Sequence, residues 1–182
     1  ELDPYTVDIV EEHFADYVGN IAARDNVKLQ VGDARSVLRR EDKRYDIVQF
    51  TGVDTITSIG SGAYLLSEGY LYTVEAMHEY FDHLTEDGML SMTTQDIIDP
   101  LGPPRMVPRF CSVIAAAMEE RGIEDPGACC VIMAIDMPEG NASITLCNIL
   151  AKESPFTKEE LARIHEFAEH NGFLFWHFPG TP

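Results

Sequence analysis

The chain has 182 residues, 45% of them hydrophobic, and its 31 acidic against 13 basic side chains give a formal charge of −18. That is enough apolar material for a sizeable core in one domain, or one domain with an appendage, and the charge repels a phosphate backbone, so DNA and RNA are not expected partners. No apolar run approaches the roughly 18 residues that span a bilayer, and no basic-then-apolar leader opens the chain, so the expectation is a soluble, cytoplasmic chain.

Taken in order, Asp3-Pro4 opens an amphipathic helix over Tyr5 to Val18, with Val7, Val10, Phe14 and Tyr17 on one side and Gly19-Asn20 ending it. A short apolar strand, Val27 to Val31, is followed by a helical piece around Ser36 to Arg40 and then by Tyr45 to Phe50, suited to a buried parallel strand. The stretch from Thr51 to Gly62 reads as a loop. A helix from about Tyr70 to Leu84 comes next, then a turn at Glu86-Asp87-Gly88 and a strand from Met89 to Thr93.

Asp96 to Pro104, with three prolines and a glycine, reads as a loop. Val107 to Arg121 is predicted as a helix that tolerates Pro108 in its first turn. Ala128 to Ile135 and Ser143 to Ala151 read as an antiparallel pair at a sheet edge. Thr157 caps a last helix running to about His170, and the aromatic tail Phe173 to Phe178 is too apolar to hang in water.

This order is the back end of an α/β, Rossmann-like methyltransferase sheet of the 3-2-1-4-5-7-6 type, lacking its first strands. The expected division is a nucleoside-binding part over residues 1–155, with residues 156–182 as a helix and tail packed on it. In such sheets ligands sit beyond the carboxyl ends of strands. Glu1, followed at once by a helix, and Asp33, at the end of Val27–Val31, are acids in that position, so they suit a nucleoside site. Both acids also suit the capping of the helices that follow them.

Five stretches in register carry a family resemblance: Glu1-Leu2-Asp3-Pro4, Gly32-Asp33-Ala34-Arg35, Tyr45-Asp46-Ile47-Val48 with Asp54 beyond, Ser67-Glu68-Gly69-Tyr70-Leu71-Tyr72, and Leu84-Thr85-Glu86-Asp87-Gly88-Met89-Leu90. Over about Glu1 to Phe156 the chain resembles the spermidine synthases (polyamine aminopropyltransferases) and their wider relatives. The resemblance implies an S-adenosylmethionine or decarboxylated S-adenosylmethionine donor, no metal, a cationic acceptor and a possible homodimer. It also implies that Glu1 takes the ribose hydroxyls and Asp33 the adenine amino group, with Ala34 beside the base. Relatives fuse the domain to transmembrane helices, so a longer protein could be membrane-attached.

The family's strand 4 runs into an Asp-Ser-Ser-Asp-Pro-like segment whose first Asp is the usual proton acceptor. Here Thr51 stands in that place and Asp54 in that of the second acid. Threonine is no base near neutral pH, which leaves Asp54 as the candidate catalytic residue and Thr51 as a donor-side contact. A loop-capping role suits Asp54 equally. Three functions follow: aminopropyl transfer, methyl transfer on the same fold, or a binding or regulatory module without chemistry.

Other patterns read as structural. His78 with His83 and His165 with His170 are five residues apart, so at about 3.6 residues per turn they do not share a helix face as zinc ligands would. Cys111, Cys129, Cys130 and Cys147 lack C-x-x-C spacing and read as small buried hydrophobes. Gly60-Ser61-Gly62 has no Lys-Ser/Thr after it and reads as a loop.

Overall fold

The computed structural model describes residues 1–51, 69–98, 104–139 and 142–181, in two compact units, Glu1–Asp42 and Lys43–Pro182. The second holds a five-stranded sheet of β1 (Tyr45–Thr51), β2 (Leu84–Ile98), β3 (Cys130–Glu139), β4 (Ala142–Ala151) and β5 (Leu174–His177), in the order β1-β2-β4-β3-β5. β1 and β2 are parallel, while β4 lies antiparallel between β2 and β3. These four strands reproduce the 4-5-7-6 half of the expected sheet. The fifth is the aromatic tail, which pairs antiparallel with β3 and takes over the edge expected for the β3–β4 hairpin.

Cross-strand register divides the two faces, because alternate residues of a strand point to opposite sides. Phe50, Met92, Ile149 and Ile132 stand side by side across four strands, and on this face Phe50, Met92 and Ile149 are buried. Two helices of the unit meet it. Val74–Asp82 is capped by the Thr73 hydroxyl and buries Ala76, Met77, Tyr80 and Phe81, with the Tyr80 ring 4.7 Å from Phe50. Met106–Glu120 buries Val107, Phe110, Ile114, Ala117 and Met118 and, as predicted, carries Pro108 in its first turn. Arg121 reaches Asp82 at 2.9 Å and Glu153 at 2.6 Å, linking the ends of both helices.

The opposite face is covered at one end by the helix Lys158–Asn171. It starts with a reciprocal capping box between Thr157 and Glu160 and stops at Gly172, whose φ of 73° favours glycine. Val131, Met133, Phe156 and Ala168 form its buried core, with Leu161, Ile164, Phe173, Phe175 and Phe178 packed around them.

The expected turn at Glu86-Asp87-Gly88 lies inside β2. Tyr45 pairs with Leu84 but Ile47 pairs with Met89, so residues 85–88 bulge out of the ladder. Gly88 is required there, since a Cβ would sit 2.8 Å from the Tyr45 carbonyl oxygen. β1 is less buried than expected. It is an edge of the described sheet, and Phe50 is buried while Ile47 is 56% exposed.

The first unit departs further from expectation. The helix Pro4–Asp8 starts as predicted, with the Asp3 carboxylate accepting from the Tyr5 N–H and Pro4 in the first turn. It then widens into a π-turn over Ile9–His13. Each π-turn adds a residue to the repeat and takes later positions off the expected stripe. Val7 is buried, whereas Phe14 is 53% and Tyr17 88% exposed. Residues 27–31 form no strand ladder, and Leu29 and Val31 are exposed.

Candidate functional site

The first unit brings Glu1 beside the segment that leads to Asp33. The backbone nitrogen of Glu1 donates to the Gln30 carbonyl at 3.0 Å, and the Glu1 carbonyl accepts from the Gly32 N–H at 2.8 Å. These two bonds flank Val31 as one rung of a parallel ladder does. The two acids therefore stand on neighbouring segments.

Both carboxylates also do local work. Glu1 Oε1 accepts from the N–H groups of Leu2 at 3.1 Å and Asp3 at 3.2 Å. Asp33 Oδ1 accepts from the Ser36 N–H at 2.8 Å and so caps the short helix Ala34–Leu38, whose first residue is Ala34. An ionised carboxylate has about four acceptor positions on its two oxygens, so it can serve more than one donor.

In the second unit Thr51 ends β1, exposed, and its hydroxyl accepts from the Gln49 side-chain amide at 2.8 Å. It shares a cross-strand row with Thr93 and Asn148, and the Asn148 amide donates to Ser91 at 3.0 Å and Thr93 at 2.9 Å. Gln49, Thr51, Ser91, Thr93 and Asn148 thus make a polar strip on one face of the sheet. The sequence reading named Thr51 alone. The alternation Leu90-Ser91-Met92-Thr93 carried the signal, since polar residues at every second position mark a face. Asp54 and Gly60-Ser61-Gly62 lie outside the described residues.

Asp96, expected in a loop, ends the described side chains of β2 as a buried carboxylate. It accepts from the N–H groups of Arg105, Met106 and Val107 at 2.9, 3.0 and 2.9 Å. Its charge thereby satisfies the first donors of the helix Met106–Glu120. The four cysteines are free thiols, with Cys129 and Cys147 buried and Cys111 and Cys130 half-buried. Burial pushes Cys130 and Cys147 to about 12 and Cys111 to about 11, so these thiols stay protonated near neutral pH. Among the described residues no group of three or more His, Cys, Asp or Glu could hold a metal ion. His78 bonds Glu120 at 2.8 Å in an exposed pair, and His165, itself exposed, stacks on Phe175.

Comparison of the whole chain with solved structures decides what the strand order suggested. A spermidine synthase from Thermotoga maritima superposes with a TM-score of 0.57 at 13% identity, over 92% of this chain and 49% of that one. A spermidine synthase in complex with the transition state analogue AdoDATO superposes with a TM-score of 0.53 at 12% identity, over 92% of this chain and 48% of that one. The chain has a spermidine synthase-like fold. It spans about half the length of these enzymes. No family model and no curated protein matches the sequence. No described helix is long and apolar enough to cross a membrane.

Proposed function

We propose that this chain is the part of a spermidine synthase-like transferase that binds the nucleoside of an S-adenosyl donor, with decarboxylated S-adenosylmethionine as the preferred donor. The observation that carries the reading is the pair of bonds from Glu1 to Gln30 and Gly32, which sets two acids on adjacent segments of a fold shared with spermidine synthases. Glu1 would accept from the ribose hydroxyls, since a carboxylate is acceptor-only and can take both. Asp33 would accept from the adenine amino group, with Ala34 beside the base.

Aminopropyl transfer needs a neutral amine aligned behind the carbon that leaves sulfur, and a carboxylate to take its proton. Asp54 is the residue we assign to that role, and the charge of −18 favours a cationic acceptor such as a polyamine. A second reading, methyl transfer, is favoured by Thr51. Its hydroxyl is held by Gln49 and offers no base, and a methyltransferase depends mainly on proximity and orientation.

Calorimetric titration with methylthioadenosine, S-adenosylhomocysteine and the decarboxylated donor tests the nucleoside reading. Saturable binding is expected, weakened roughly tenfold in Glu1→Gln and in Asp33→Asn, since a bond to a charged acceptor contributes about 1.5 kcal/mol or more. No heat with any of the three would leave a module without this ligand. Asp54→Asn should lower aminopropyl turnover far more than nucleoside affinity. Equal loss of both, with lowered stability, would make Asp54 structural.

A further inference from the structure

Beneath the helix Lys158–Asn171 lies a cavity of about 490 Å³, within the size range of small-molecule sites. Met89, Met133 and Leu150 of the sheet and Ile164 and Phe167 of the helix give it apolar walls. It belongs wholly to the second unit. Its lining residue Met133 shares a cross-strand row with Thr51 but stands three strands across the sheet from it, through Asn148 and Thr93.

Two charged side chains also face it, and they differ. Glu160 is committed, with both oxygens 2.8 Å from the buried Lys152 Nζ, and Lys152 in turn lies over the Phe156 ring. That pair is neutral as a unit. Arg163 is exposed and forms no ion pair among the described residues, although Glu159 and Glu166 stand one helical turn to either side. In a chain with 31 acids and 13 basic side chains, a cation left unpaired at an apolar cavity is unusual.

We propose that this cavity binds a monocarboxylate with an unbranched apolar tail. The tail lies between the sheet and Ile164 and Phe167, and the carboxylate meets Arg163 in a charge-assisted, two-pronged contact. The strong negative field of the chain opposes anions in general, so burial of the tail supplies affinity and Arg163 supplies the preference for the acid. An amine of the same tail would meet Arg163 as a like charge. A short polyamine has no tail for these walls.

Calorimetry with decanoate below its micelle concentration, beside decanol and decylammonium, tests this on the full chain. One saturable decanoate site is expected, about fivefold tighter than decanol, with decylammonium weaker than both. Arg163→Gln should remove that fivefold margin and leave decanol binding unchanged. Leu150→Trp, which fills the cavity, should abolish both, with circular dichroism checking that it folds. Ile164→Phe provides a second filling variant. Absence of saturable decanoate binding, equal affinity for decanoate and decanol, or undiminished decanoate binding in Arg163→Gln would overturn the proposal. Methylthioadenosine affinity should stay unchanged in Arg163→Gln, so failure here is distinct from failure of the nucleoside reading.

Discussion

The two units of this chain hold themselves together in different ways. Residues 43–182 form a sheet with both faces used, and side chains such as Met77, Phe81, Leu90, Ile114 and Val131 are almost wholly removed from water. Residues 1–42 have two short α-helices and turns, Val7 is buried, and Leu2, Tyr5, Phe14 and Tyr17 are at least half exposed. Structure in the first unit comes from caps and single hydrogen bonds. Structure in the second comes from burial. The acids assigned to the nucleoside thus sit where little apolar packing fixes them, and local bonds such as Ser36 to Asp33 set their geometry.

The sharpest way to break this contrast is to cut into the second core. Phe81→Ala should cost about 4 kcal/mol, the loss for a fully buried aromatic, read as a fall in denaturant midpoint. A loss under about 1 kcal/mol would mean the core tolerates repacking and the contrast is overstated.

Next in size is Glu160→Gln. Gln can still fill the capping box, but Lys152, 3% exposed, would lose its counter-charge, a change that costs about 3 kcal/mol. The pH dependence follows from the same pair. Burial raises the Glu160 carboxyl, but the hydrogen bond from Lys152 and the Thr157 contacts more than reverse this and hold it below its ordinary value of 4.5. A carboxyl depressed in the folded state contributes stability above its unfolded value and loses it as pH falls through the folded one. Wild-type stability should therefore decline below about pH 4.5 with a component absent from Glu160→Gln, measurable by thermal unfolding across pH.

Asp96→Asn should cost about 2 kcal/mol, because one carbonyl oxygen cannot satisfy the three N–H donors, that of Val107 buried, which a carboxylate shares between two oxygens. Amide exchange at Met106 and Val107 should quicken more than in β4. Smallest is Phe14→Ser in the first unit, expected within about 0.5 kcal/mol because the ring is already half in water. A larger loss would show that this side chain is buried in solution.

How much was legible from sequence follows the same division. Pro108 and the stripe of Phe110, Ile114 and Ala117 gave a helix within a residue of its observed ends, because burial and periodicity agreed. The succession of strands and helices, ending in a hairpin, matched the order of a methyltransferase-type sheet. The helix expected over 5–18 starts as read but ends at His13, since the π-turn at Ile9–His13 responds to no repeat that periodicity can detect. Val27–Val31 read as a strand because β propensity is local, whereas a ladder needs partners that lie elsewhere. At the candidate site the acids were legible from their places after apolar runs. The face shared by Ser91 and Thr93 was legible in their alternation, but its extension to Asn148 and Thr51 was not, because it exists only once β2 is paired in register with β4 and β1. Arg163 was hidden for a related reason, as its lack of an ion pair among the described residues is a fact of distances and not of spacing.

The bulge in β2 also sets where this gene can gain or lose codons. Glu86 and Asp87 stand outside the ladder and in solvent, so an added residue there lengthens the bulge and leaves every later pairing as it was. The same insertion after Met89 would turn Leu90 and Met92 toward water and drive Ser91 and Thr93 beneath the helices. Length variation among descendants of this chain should therefore collect before Gly88 and stop there.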